Sequence, residues 1–238
     1  MKILECRELV KKYGDTEAVA GLSFSVEKGE VLGLLGPNGA GKTTTIKMIL
    51  GLTRPTGGDV TIDRDTRIGY SPETPYFHPF LTGYEALRFY SRLQRLDDKK
   101  AGPQIRRLLE LTGLSNAQDK KIKNYSKGML QRLAFGQALL GDPELLILDE
   151  PTSGLDAVGR IEMLQLVSEL KDEGKTIVFN SHILSDVEKI ADRTIFISNG
   201  RLAGQVLKRE LCGTSLEELF VKAVGGVGHA CSDTQYIQ

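Results

Sequence analysis

The chain has 238 residues, enough to bury one sizeable core or a core with a subdomain. Its 31 Lys+Arg and 31 Asp+Glu leave no net charge, which argues against a nucleic-acid binder. No apolar run approaches the roughly 20 residues needed to span a bilayer, the N-terminal Met1-Lys2-Ile3-Leu4-Glu5 lacks a signal-peptide core, and Cys6, Cys212 and Cys231 fit neither a disulfide framework nor a zinc site. The expectation is a cytoplasmic protein that does not itself cross a membrane.

Residues 3–26 read as antiparallel strands. Gly14-Asp15 is a turn signal, and Leu22, Phe24 and Val26 alternate with Ser23 and Ser25. Tyr13 precedes the turn, where an aromatic face either stacks on a nucleobase or covers the sheet end. Val31-Leu32-Gly33-Leu34-Leu35 is a short apolar run with the pattern of a buried strand. It leads into Gly36-Pro37-Asn38-Gly39-Ala40-Gly41-Lys42-Thr43-Thr44, which fits the phosphate-binding pattern G-x-x-x-x-G-K-[ST] at every fixed position. Phosphates are dense negative charge, and consecutive backbone N–H groups can cradle them only where no side chain intervenes. The glycines clear that space, a helix starting near Lys42 aims its N-terminus at the anion, Lys42 adds a mobile cation, and the Thr43 hydroxyl is placed to ligate Mg²⁺. Ile46, Ile49 and Leu50 carry the helix, and Gly51 stops it.

Residues 57–62 and 67–70 look like two further strands. Residues 71–82 are rich in Pro and aromatics, with Glu73 near their start. Such a loop either meets a partner or tucks onto its own domain. Residues 83–140 read as helical: Leu87, Tyr90 and Leu93 recur at helical spacing, as do Ile105, Leu108, Leu109 and the run from Leu111 to Leu114. This block interrupts the strand–helix alternation and is expected to be an inserted helical subdomain. Within it, Ser126 is the N-cap of a helix reaching about Leu140, a second potential anion site.

Leu145-Leu146-Ile147-Leu148 is a buried parallel strand ending in Asp149 and Glu150, at the strand end where open α/β sheets bind ligands. Beside a phosphate loop, Asp149 suits Mg²⁺ and Glu150 suits a general base; the plain alternative is a polar strand edge. A turn through Asp156 opens a helix bearing Val158, Ile161, Leu164, Val167 and Leu170. Residues 176–180 form another buried strand that ends at Ser181-His182, a histidine either structural or facing the γ-phosphate. Asn199-Gly200 signals a type I′ hairpin, Ser215-Leu216-Glu217-Glu218 is a capping box, and residues 226–238 are expected to be a disordered tail after a single domain of residues 1–225.

With these residues in view, the chain resembles the ATP-binding subunit of an ABC transporter over nearly its whole length. The resemblance implies an α/β fold: a P-loop NTPase core with a parallel sheet, an N-terminal antiparallel β-subdomain and an inserted helical subdomain. It implies that Tyr13 stacks on adenine, that residues 36–44 hold ATP, that Thr43, Asp149 and Glu73 serve Mg²⁺, and that Glu150 and His182 are catalytic. It further implies that Ser126, Lys127, Gly128, Met129 and Asp156 act in trans on a second ATP-binding subunit, homo- or heterodimeric. Tyr125-Ser126-Lys127-Gly128-Met129 departs from the usual L-S-G-G-Q, and Glu73 replaces the usual Gln; both look like the branch serving ABC-2-type exporters. The partners implied are separate transmembrane permease subunits, with this chain on the cytoplasmic membrane face and no nucleic acid. A soluble regulatory or DNA-associated ABC ATPase, a nucleotide-gated binding module and a P-loop kinase are the other readings.

Overall fold

The computed structural model describes residues 1–211 and 215–225. Its strands in chain order are β1 (Lys2–Tyr13), β2 (Thr16–Glu27), β3 (Val31–Leu35), β4 (Gly57–Ile62), β5 (Ile68–Ser71), β6 (Leu145–Asp149), β7 (Thr176–Asn180), β8 (Arg193–Ser198) and β9 (Arg201–Leu207). Its α-helices are α1 (Lys42–Ile49), α2 (Gly83–Leu93), α3 (Asp98–Leu111), α4 (Lys127–Ala138), α5 (Ala157–Asp172), α6 (Leu184–Ile190) and α7 (Leu216–Gly225). The chain divides into two compact units: residues 1–64 with the chain from 178 onward, and residues 65–177. Cys212, Cys231 and the expected tail at 226–238 lie outside the described residues.

In the first unit, β2, β1 and β4 form an antiparallel sheet in that order, with Tyr13 opposite Thr16 across the Gly14-Asp15 turn. Leu22, Phe24 and Val26 are buried, as the alternation requires. Cys6 is buried in β1, and desolvation pushes its thiol up to about 12. β3 is buried at all five positions and pairs in parallel with β8. Continuous burial of a Val/Leu run is what a parallel strand covered on both faces demands. β8 turns into antiparallel β9 at Asn199-Gly200, where φ is 49° and 73°, both left-handed as a type I′ turn requires.

In the second unit, β5 and β6 pair in parallel, and every position of β6 is buried. The helical block resolves into α2, α3 and α4. Thr82 starts α2 with a reciprocal capping box: its hydroxyl accepts from Glu85 N at 3.1 Å, and Glu85 Oε2 accepts from Thr82 N at 2.8 Å. α3 stops at Leu111 rather than running on to Leu114, because Gly113 takes a left-handed φ of 68°.

Two apolar stripes differ from the sequence reading. In α2 the buried face is Gly83, Ala86, Leu87 and Ser91, while Leu93 is 63% exposed. In α5 the buried face is Gly159, Met163, Leu164, Val167 and Leu170, while Val158 and Ile161 are 65% and 62% exposed. The cause is the same in both. A spacing of three drifts off a face that repeats every 3.6 residues.

Candidate functional site

The first unit carries the phosphate loop. β3 delivers the chain into Gly36, where an added Cβ would meet the Ile197 carbonyl oxygen of β8 at 2.3 Å. Gly41 has φ 103°, and a Cβ there would lie 2.5 Å from the Ala18 carbonyl oxygen. Only glycine satisfies both constraints. The loop is also bound from behind: Gly200 N donates to the Ala40 carbonyl at 3.0 Å, and Ala20 N donates to the Gly200 carbonyl at 2.8 Å. The β8–β9 turn thus fixes the loop, while Pro37, Asn38 and Gly39 stay exposed.

Lys42 is only 7% exposed, and its ammonium donates to the Gly36 carbonyl at 2.6 Å and the Pro37 carbonyl at 3.1 Å. The cation expected to be mobile is folded into the loop it serves, because loop carbonyls curve around it. Thr43 and Thr44 are half-buried, and the Thr45 hydroxyl donates to the Gly41 carbonyl at 2.9 Å. No side chain caps α1. Every other described helix of eight or more residues starts under one: Thr82 for α2, Asp97 for α3, Ser126 for α4, Asp156 for α5 and Ser215 for α7. The helix dipole puts partial positive charge at this end of α1, on the side of the loop. Tyr13 is 50% exposed, with the Lys11 ammonium 5.0 Å from its ring centroid. His182 is exposed on the turn after β7, where the Ser181 hydroxyl accepts from Ile183 N at 3.0 Å.

The second unit carries the carboxylates. Asp149 is 2% and Glu150 7% exposed. Glu150 has φ 49°, a left-handed conformation uncommon outside glycine, and its carbonyl accepts from Ser153 N at 2.9 Å. Tyr70, absent from the sequence candidates, lies within electrostatic reach of this strand end and of Glu73. Its hydroxyl is pushed up to about 12, first by burial and then by the negative charges of Asp149 and Glu73. Asp149 and the exposed Glu73 thus both act electrostatically on one side chain, although 76 positions separate them in sequence. Among the described residues no cluster of three or more His, Cys, Asp or Glu is gathered for a metal. Two carboxylates suit Mg²⁺, which keeps waters and phosphate oxygens in its shell.

Ser126 caps α4, accepting from Met129 N at 3.2 Å, and its O–H proton remains to donate elsewhere. Lys127 runs across Gly154: a Cβ there would lie 2.5 Å from Lys127 Cε and 2.9 Å from Nζ. A Cβ on Gly128 would meet Leu155 Cδ2 at 3.3 Å. Asp156 caps α5 through Gly159 N at 2.7 Å. The residues predicted to act in trans are thus neighbours within their own unit.

The Pro-rich loop tucks one aromatic onto its own unit and leaves two others exposed. Phe77 is buried edge-on against Tyr90, with centroids 5.9 Å apart. Tyr76 and Phe80 are 82% and 65% exposed, with the Lys123 ammonium 5.9 Å from the Phe80 centroid. Tyr70 was legible only through strand alternation, which sets it opposite Gly69 and Ser71.

Comparison with known proteins agrees with this fold. The family model described as ABC transporter matches residues 19–153. An ABC transporter ATP-binding protein of Nostoc sp. (strain PCC 7120) is 48% identical over 212 residues, covering 85% of this chain and 61% of that protein. The Nod factor export ATP-binding protein I of Burkholderia orbicola is 40% identical over 208 residues, covering 83% of this chain and 68% of that protein. The chain spans about three fifths of the length of the first curated relatives it matches, 61% and 58%. A solved ATP-binding subunit of an ABC transporter superposes with a TM-score of 0.83 at 32% identity, covering 93% of this chain and 99% of that one. The chain belongs to the ABC transporter family, among its ATP-binding proteins.

Proposed function

We propose that this chain binds and hydrolyses ATP and so powers export of a substrate through separate membrane-spanning subunits of the ABC-2 type. One observation carries the reading. α1 begins uncapped by any side chain, on a glycine loop too tight for a Cβ, with a lysine ammonium folded inside it. Backbone donors, a helix dipole and one cation together are the chemistry of a phosphate cradle.

In this reading residues 36–44 cradle the phosphates, and Tyr13 offers adenine the ring face that Lys11 does not cross. Thr43, Asp149 and Glu73 hold Mg²⁺, which when bound supplies positive charge to the phosphate oxygens. Glu150 takes the proton of the attacking water, and His182 hydrogen-bonds toward the γ-phosphate. Two chains work head to tail, Ser126, Lys127, Gly128, Met129 and Asp156 of each closing the other's site. The exposed Ser126, with a proton left to donate, supports that arrangement.

Export is what the Burkholderia relative is named for. Among the described residues no helix is long and apolar enough to cross a membrane. The reading gives that task to permease subunits, against whose cytoplasmic side Tyr76 and Phe80 dock.

The test is phosphate release, with and without the permease. Lys42→Ala is expected to weaken ATP binding and lower turnover by about a hundredfold or more, since the cation acts on charge in a secluded site. Glu150→Gln is expected to keep ATP, lose turnover and elute as a pair when ATP is present. Unchanged turnover in Lys42→Ala would sink the nucleotide site. A Glu150→Gln chain that binds ATP yet stays monomeric, with and without the permease, would sink the pair.

A further inference from the structure

Helix α4 lies along strand β5. Near the helix C-terminus, a Cβ on Gly69 would meet the Ala138 carbonyl oxygen at 2.0 Å. Nearer its start, Gln131 Nε2 donates to the Pro72 carbonyl at 3.4 Å, a long bond. The helix therefore runs antiparallel to the strand, and its first turns stand at the strand end from which the Glu73 loop departs.

At that end two polar atoms are buried unpaired. Ser71 is 0% and Gln131 1% exposed. Among the described residues, neither Ser71 Oγ nor Gln131 Oε1 has a hydrogen-bond partner. Such groups are rare in folded proteins because each forfeits its hydration for nothing. Here the two are complementary: the hydroxyl can donate and the amide oxygen can accept. The amide orientation is also determined. Turning it would set its oxygen against the Pro72 carbonyl, acceptor to acceptor. Ser71 directly precedes Pro72, so both unpaired atoms lie at the same end of β5.

We propose that Gln131 is a positioning residue that couples the Ser126–Gly128 turn to Glu73, through a hydrogen bond from Ser71 Oγ to Gln131 Oε1 that forms when α4 shifts along β5. The inference rests on the roles given to Ser126 and Glu73 above. The joint has two arrangements. In one, the Gln131–Pro72 bond is long and two polar atoms are unpaired. In the other, the amide bridges Ser71 and Pro72. A ligand engaging Ser126 or Glu73 biases the second arrangement by its differential affinity. Pairing relieves a desolvation penalty and so offsets part of the cost of the shift.

The chain contains no Trp, so Tyr76→Trp places a single emitter on the loop that carries Glu73. Mg-ATP is expected to change its emission. In that background Gln131→Met and Ser71→Ala should each shrink the change about threefold or more, as substitutions along a coupling path do. Binding of a fluorescent ATP analogue should stay within about twofold, because neither side chain touches the nucleotide. Ser71→Ala deletes an atom that bonds nothing in this structure, so its Tm should hold or rise. The double variant should be no worse than either single one. An undiminished signal in either variant, or additive effects of the two, overturns the coupling. If the Tyr76→Trp chain itself does not bind ATP, the nucleotide-site reading falls and this inference falls with it.

Discussion

The starts of α1 and α4 are both proposed to face phosphate, and they are built in opposite ways. At α1 there is no side-chain cap, the lysine is buried in its own loop, and neighbouring carbonyls forbid a Cβ at Gly36 and Gly41. At α4 a serine caps the helix from its own exposed side chain, and Gly128 has an ordinary helical backbone with only the flexible Leu155 tip near its missing Cβ. The first start is enforced by packing and cannot vary without damage to the fold. The second is held by one local hydrogen bond and is accessible. That asymmetry suits the proposed arrangement, in which a rigid cradle is closed by the surface of a second subunit.

The widest separation should come from one substitution made twice. Gly41→Ala meets the Ala18 carbonyl in a left-handed backbone and should cost about 2 kcal/mol or more, abolishing ATP binding. Gly128→Ala should change stability by less than about 1 kcal/mol, since Ala is the better helix former, while slowing turnover. Thermal unfolding and ATP titration of both proteins measure it; equal destabilisation would erase the distinction. Next in size, Ser126→Asp should keep the cap, and hence the Tm, yet lower turnover by about tenfold or more, because a carboxylate would face phosphate. Ser126→Ala should do the reverse in stability, losing about 1 kcal/mol of capping. If Ser126→Asp turns over normally, this helix start does not meet phosphate.

Smaller still, Glu73→Gln should leave ATP affinity intact and shift the Mg²⁺ concentration needed for turnover upward, since an amide holds Mg²⁺ less directly than a carboxylate. Superimposable Mg²⁺ titrations would remove Glu73 from the metal. The smallest effect separates the second unit from the rest of the chain. Arg67 pairs with Glu144 at 2.8 Å and holds its carboxyl down to about 2. A depressed pKa contributes stability above the unfolded value near 4.5 that is lost as pH falls toward about 2. Arg67→Ala should therefore flatten the acid limb of the unfolding curve in that window and leave neutral turnover alone.

The sequence was most informative where the physical constraint is local. Gly36, Gly41 and Lys42 belong to one contiguous loop, and Ser126 to the helix it caps, so spacing alone located the tight loop and the cap. It misjudged Leu93, Val158 and Ile161, because a three-residue spacing looks helical without saying which way the face turns. Tyr70 and Gln131 escaped for another reason. Their significance comes from Asp149 and Pro72, brought beside them only by the pairing of β5 with β6 and the packing of α4 on β5.

The hydrogen bond from Gly200 to Ala40 bears on how the protein is made. A ribosome delivers residues 36–44 long before residues 197–200, and domains fold in the order their parts emerge. Until the β8–β9 turn arrives, the loop lacks the contact at Ile197 and the bond at Gly200 that define its shape. A nascent chain stalled before residue 200 would thus display the whole phosphate motif and still hold no nucleotide firmly. Competence for the proposed nucleotide binding would therefore come only once β8 and β9 have formed.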